Sequence, residues 1–159
     1  MNNYSEKFEK MRIAGNLAAR TLDMLTENVK EGVSTDYIDK LGYEFIRDNG
    51  GYSAPLFYRG FKKSLCTSLN HVVCHGIPSE RILKESDALN IDVTTIVDDH
   101  YGDTSRMFCI GKTSIKLSNL IDATYNSMMK AINILKPGIK LGDIGYTIQS
   151  FIEEKGFSV

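Results

Sequence analysis

Hydrophobic positions divide the chain into two helical stretches, a β-rich middle and two further helical stretches. Between residues 6 and 29, Met11, Leu17, Leu22 and Leu25 recur at helical spacing and predict an amphipathic helix with these side chains inward. Gly32 ends that segment. Ser34 or Thr35 then caps a second helix with Ile38, Leu41, Phe45 and Ile46 on its inner face, stopped by Asn49, Gly50 and Gly51. From residue 52 to 110 the character changes. LCTSL, VVCHGI, ALNIDVTTIV and HYGDTSRMFCI are short, rich in β-branched and aromatic residues, and separated by turn formers, so each predicts a strand. Asp98 and Asp99 form the tip of a hairpin, and SERILKESD after Pro78 is a connection. Helical periodicity returns from about 116 to 135 with Leu117, Leu120, Ile121, Met128 and Ile132, until Pro137 and Gly138 break it. A last helix carries Ile144, Ile148, Phe151 and Ile152, closed by Gly156.

The second and fourth helical stretches are alike. VKEGVSTDYIDKLGYEFIRDNGGYS, from Val29, aligns with LKPGIKLGDIGYTIQSFIEEKGFSV, from Leu135, keeping Lys30 with Lys136, Gly32 with Gly138, Phe45 with Phe151 and Gly50 with Gly156 in register. Two generic amphipathic helices with ordinary caps are the alternative. If the repeat is genuine, the fold is a pseudo-symmetric duplication. One domain, 1–159, is then expected, with a first repeat at about 6–110 and the start of a second at about 114–159. The first copy leads into a β region and the second is expected to do the same, so the sequence is expected to be incomplete with respect to its fold.

The chemistry centres on two carboxylates. Asp92 lies within a run that otherwise reads as a buried strand, where a lone ionised carboxylate is costly. With a two-residue loop at Asp98 and Asp99, Val97 pairs with His100, Thr94 with Asp103 and Asp92 with Ser105. Asp92 and Asp103 are then diagonal neighbours on one face, with Cβ atoms roughly 7–8 Å apart. A four-residue register change keeps them on one face; an odd-length loop does not. Two converging carboxylates repel, and a divalent cation relieves the repulsion; oxygen ligands suit Mn, Mg or Fe, and carboxylates also bind Zn and Co. The alternative is a turn-capping Asp103 and an Asp92 bonded to backbone.

His71 and His75 have zinc-on-helix spacing, but Val72 and Val73 favour strand and no HExxH is present. His75, where a strand enters a loop, could bind a substrate carbonyl or developing oxyanion, or be structural. A Cys74–His75 nucleophilic pair is disfavoured, because adjacent strand residues face opposite ways. His100 is expected to be solvated at the tip, and Lys62 and Lys63 to lie in a solvated loop.

Composition sets outer bounds. The chain has 159 residues, 42% hydrophobic and 25% charged, with a net charge of −1, which offers no electrostatic footprint for nucleic acid. Cys66, Cys74 and Cys109, an odd number without CxxC spacing, fit a reducing compartment. The polar start MNNYSEKFEKMR and the lack of a long apolar run predict neither a secretory signal nor a membrane span, hence a cytoplasmic protein.

Along essentially its whole length the chain resembles type I (bacterial-type) methionine aminopeptidases. The segments that carry the resemblance are MRIAGNLAA, KEGVST, SLNHVVCHGIP, NIDVTTIVDDHYGDTSRMF and KPGIKLGDIG. NIDVT followed eleven residues after its Asp by the Asp of GDTS is specific for this metallopeptidase group, and VCHGIP narrows it from proline peptidases towards methionine aminopeptidases. The resemblance implies an α/β (α+β) pita-bread fold with a pseudo-twofold repeat and a central antiparallel sheet flanked by helices. It also implies two divalent metal ions (Co, Mn, Fe, Zn or Mg) held by two Asp, one His and two Glu. Asp92 and Asp103 match the two aspartates. His75 matches the histidine that contacts substrate at the scissile carbonyl, and Tyr58, Phe61 and Cys66 match the methionine pocket, with Pro55 at a variable position. The remaining His and Glu ligands have no counterpart in these residues, so the segment alone is expected to be inactive. The implied activity is removal of the initiator methionine. The implied partners are nascent polypeptide N-termini, with the ribosome as the candidate place of encounter, for a monomer that binds neither nucleic acid nor membrane. A proline-specific peptidase of the same fold and a non-catalytic peptide-binding module are the alternatives.

Overall fold

A computed structural model describes residues 4–159. The chain divides into two compact units, one ending at Thr113 and one running from Ser114 to Val159.

The first unit contains helix α1 (Tyr4–Thr26), helix α2 (Thr35–Asp48), a short strand β1 (Tyr52–Ser53), a 3-10 turn (Tyr58–Gly60), and strands β2 (Cys66–Leu69), β3 (Ala88–Val97) and β4 (His100–Cys109). β3 is the central strand and every pairing is antiparallel. β1 and β2 pair with successive stretches of one edge of β3, and β4 pairs along the other. Residues directly opposite in such a ladder share a face, so the register sorts the sheet into two chemistries. Leu89 and Phe108, Ile91 and Thr67, Val93, and Thr95 with Gly102 lie on one face. Asp92 with Cys66 and Ser105, Thr94 with Asp103, and Asn90 with Ser68 and Met107 lie on the other.

The apolar face packs against α1 and α2. Leu17, Leu22, Leu25, Ile38, Ile46, Leu65, Leu83, Leu89, Ile91 and Val93 form one buried cluster. α1 crosses the sheet at very close range. A Cβ on Gly102 would lie 2.1 Å from the Gly15 nitrogen, so only glycine admits this backbone-to-backbone approach. The hydroxyl of Thr95, on the same row, donates to the Ala14 carbonyl at 2.8 Å. Burial on α1 begins at Ala14. Met11, expected on the inner face, is 50% exposed because it precedes the stretch of helix that meets the sheet.

Ser34 caps α2 in extended conformation, accepting from the Tyr37 N–H at 3.1 Å. Asp39, buried on α2, anchors the entry to β2. Its Oδ1 accepts from the Ser64 N–H (2.8 Å), the Ser64 hydroxyl (2.6 Å) and the Leu65 N–H (3.1 Å). Lys63 is not merely solvated: its ammonium pairs with Asp36 at 2.6 Å.

The second unit consists of α3 (Ile115–Asn133) and α4 (Leu141–Glu154). Ser114 caps α3, and Lys136, Pro137 and Gly138 (φ 91°) turn the chain into α4. The residues that α3 buries are small, Ala123, Ser127 and Ala131 at four-residue spacing, together with Ile152 of α4. Leu120, Met128 and Ile132, expected inward, are exposed. The sequence period was right for a helix, but the small-residue row, which allows close approach, is the buried one.

Candidate metal centre

The β3–β4 hairpin has the two-residue tip that places its carboxylates. Asp98 (φ 46°) and Asp99 (φ 60°) are both left-handed, as a type I′ turn requires, and Val97 pairs with His100. Asp92 therefore lies opposite Ser105, and Thr94 opposite Asp103, which makes Asp92 and Asp103 diagonal neighbours on the polar face. His100 is half-buried rather than solvated: its Nδ1 lies 2.6 Å from the Asp98 carbonyl, a bond that needs the proton on that nitrogen.

Asp92 is half-buried and Asp103 exposed. The Asp92 carboxyl is pushed above the ordinary carboxylate range, first by burial in the sheet, then by the charge of Asp103 and a hydrogen bond between the two groups; His75 opposes the shift. The two carboxylates are thus close enough to repel, and His75 is close enough to act on Asp92. A divalent cation would remove that repulsion, so this donor set fits a hard or borderline metal.

Cys66 completes the row. It is buried in β2 directly opposite Asp92. Its thiol is pushed up to about 11 by burial, reinforced by Asp92, Cys74, Asp103 and Asp39, and is protonated at neutral pH.

His75 reaches the face by a different route from the expected one. VVCHGI is a loop, not a strand, and the strand argument against a Cys74–His75 pair lapses with it. After β2 the chain turns at Asn70 (φ 55°), whose side chain bonds Asp87 (2.9 Å) and the Ala88 N–H (2.9 Å). It then returns alongside β2, where the Thr67 N–H donates to the Gly76 carbonyl (2.8 Å) and the Gly76 N–H to Ser68 Oγ (3.1 Å). His75 sits just before this clasp at φ 55°. His71 is exposed on the same loop. Sequence reasoning overlooked Ser68, Asn70 and Gly76; the only signal was the SLN preceding HVVCHG, a polar end to a strand just before a glycine.

Tyr58 and Phe61 lie on the β1–β2 connection rather than on the sheet. The Phe57 N–H donates to the Phe61 carbonyl (2.6 Å), and the Phe61 N–H to the Tyr58 carbonyl (3.0 Å), so one tight turn carries both. Tyr58 is exposed, Phe61 and Pro55 half-buried. Among the described residues no cluster of three or more His, Cys, Asp or Glu side chains forms a metal cage.

Several solved and curated proteins similar to this chain are peptidases. The chain is 54% identical over 157 residues to a methionine aminopeptidase of Rickettsia prowazekii, matching 98% of this chain and 61% of that protein. It is 48% identical over 156 residues to that of Escherichia coli K12, with 97% and 59% matched. The chain therefore spans about 60% of the length of these relatives. The crystal structure of methionine aminopeptidase from Rickettsia prowazekii superimposes with a TM-score of 0.96, covering 98% of this chain and 62% of that one. The enzyme from Thermotoga maritima, 32% identical, gives 0.94, covering 97% and 62%. An X-Pro aminopeptidase of Thermotoga maritima, 19% identical with a TM-score of 0.83, shares the fold. The architecture is the pita-bread fold of these enzymes, with antiparallel strands flanked by helices. Residues 9–159 match the profile of metallopeptidase family M24, a family name that itself implies a divalent metal cofactor, and the chain belongs to that family.

Proposed function

We propose that the protein is a methionine aminopeptidase that removes the initiator methionine from nascent chains at a two-metal centre, to which these residues contribute Asp92 and Asp103. The observation that carries the reading is the convergence of these carboxylates, with His75 beside them, on the polar face of a sheet whose other face is core. The curated relatives' name supplies the substrate class.

Metal bound between the aspartates would supply Lewis acidity towards the scissile carbonyl. Asp92 and Asp103 would hold it, their side chains fixed relative to one another by the hairpin register. His75 stabilises negative charge growing on the carbonyl oxygen. Cys66, as a neutral thiol, contributes a soft apolar wall, and with Tyr58 and Phe61 it suits a thioether through sulfur–aromatic packing. Co, Mn, Fe, Zn and Mg are all compatible with carboxylate ligands. The setting is cytoplasmic and the protein a monomer that meets nascent N-termini, with the ribosome as the place of encounter. No described helix is long and apolar enough to cross a membrane.

Mn²⁺ titration of the chain tests the centre. Weak binding is expected for the wild type and none for Asp92→Asn; equal heats from the two would sink the metal pair. With only two of the ligands that the family resemblance implies, residues 1–159 alone are expected to release no methionine from Met-Ala. Measurable release would overturn that expectation.

A further inference from the structure

We propose that Ser68 and Gly76 are positioning residues that set His75 over Asp92, by clasping the loop that follows β2 back onto that strand. The inference rests on the reading of Asp92 and Asp103 as metal ligands and His75 as the substrate-contacting group.

Four observations carry it. Ser68 is buried on the same sheet face as Asp92, two residues along β2 from Cys66, Asp92's direct partner. Its Oγ accepts from the Gly76 N–H at 3.1 Å, and the neighbouring Thr67 N–H donates to the Gly76 carbonyl at 2.8 Å, so Gly76 is held through both its backbone polar groups. Gly76 has no room for a side chain: a Cβ there would lie 2.2 Å from the Thr67 carbonyl oxygen and 2.8 Å from the Ser68 Cα. The backbone of His75 is held at φ 55°, left-handed, a conformation a β-carbon disfavours and one that needs its surroundings to impose it. By contrast Val73, two residues before His75, is 94% exposed. The tie next to His75 is therefore the clasp, and its direction determines where the imidazole stands.

A loop closed only for stability would tolerate any arrangement that keeps β2 folded. A positioning clasp must keep the His75 ring near the metal. Paramagnetic broadening by Mn²⁺ in NMR spectra of the full 159-residue chain separates the two. In the wild type and in Ser68→Thr, which keeps the acceptor, Mn²⁺ is expected to broaden the His75 ring signals together with the Thr94 and Ser105 amides. In Ser68→Ala the amides are expected to broaden as before and the His75 broadening to be lost. Unchanged His75 broadening in Ser68→Ala overturns the positioning role and leaves the metal reading standing. No broadening at Thr94 and Ser105 in the wild type removes the metal pair, and the inference with it. Amide exchange in the wild type guards against a variant that does not fold: Gly76 is expected to exchange markedly more slowly than Val73, and equal rates overturn the clasp.

Discussion

At the scale of single residues, Asp92 carries a carboxyl whose charged form its surroundings disfavour. Its folded-state carboxyl titrates above the ordinary value of 3.8, because burial and Asp103 both disfavour the charged form. A carboxyl raised in this way binds protons more tightly folded than unfolded. Its stabilising contribution is complete below the unfolded value and is lost as the pH rises through the folded one. Without metal, ionising Asp92 in the folded state therefore carries a cost. Asp92→Asn removes the charge and offers Asp103 an amide donor. In chelator, the variant should melt at the higher temperature at pH 7, and the gap should close as the pH falls through the acidic range below Asp92's raised value. Excess Mn²⁺ should then raise the melting temperature of the wild type and not of the variant. A wild type that out-melts the variant at pH 7 in chelator would contradict the strained-pair picture.

Elements were legible where one physical rule decided them. The 3.6-residue period located all four helices, and two-residue alternation with an Asp–Asp tip sufficed to pair Asp92 with Ser105 and Thr94 with Asp103. VVCHGI misled because its β-branched residues match a strand's local preference, whereas its path depends on two tertiary facts: the bond to Ser68 and the lack of space at Gly76. The turn carrying Tyr58 and Phe61 was equally invisible, since nothing local announces left-handed residues at Phe57 and Arg59. The crossing of α1 over the sheet is another tertiary fact, and it can be tested at its two glycines. Gly15 has nothing within 4 Å of its would-be Cβ and lies inside a helix, so Gly15→Ala should stabilise the protein by about 1 kcal/mol. Gly102→Ala places a methyl against the backbone of Ala14 and Gly15. It should destabilise by about 2 kcal/mol or more, since a helix rather than a flexible side chain must move. Urea denaturation of the pair measures both; effects of the same sign would mean that α1 does not cross where Gly102 places it.

At the scale of the whole molecule, burial is distributed unevenly between the two units. The main hydrophobic cluster, from Leu17 to Ile110, belongs to the unit that carries the aspartates. The unit from Ser114 onward buries Ala123, Ser127 and Ala131, which remove little apolar surface from water, and one large side chain, Ile152, while Leu120, Met128 and Ile132 are exposed. Hydrophobic stabilisation scales with apolar area removed, and resistance to local opening follows it. A two-helix unit of this length is also near the size below which folded chains usually need further support. Amide exchange should therefore be slowest in β3, at Ile91 and Val93, and on the inner face of α1, at Leu22. Amides of α3 and α4 should exchange at least about tenfold faster, a difference of about 1.4 kcal/mol in opening free energy. This gradient would leave the hairpin carrying Asp92 and Asp103 on the most rigid part of the chain. Equal protection across both units would mean that α3 and α4 draw stability from something other than the side chains they bury, and the assignment of rigidity to the aspartate-bearing sheet alone would fail.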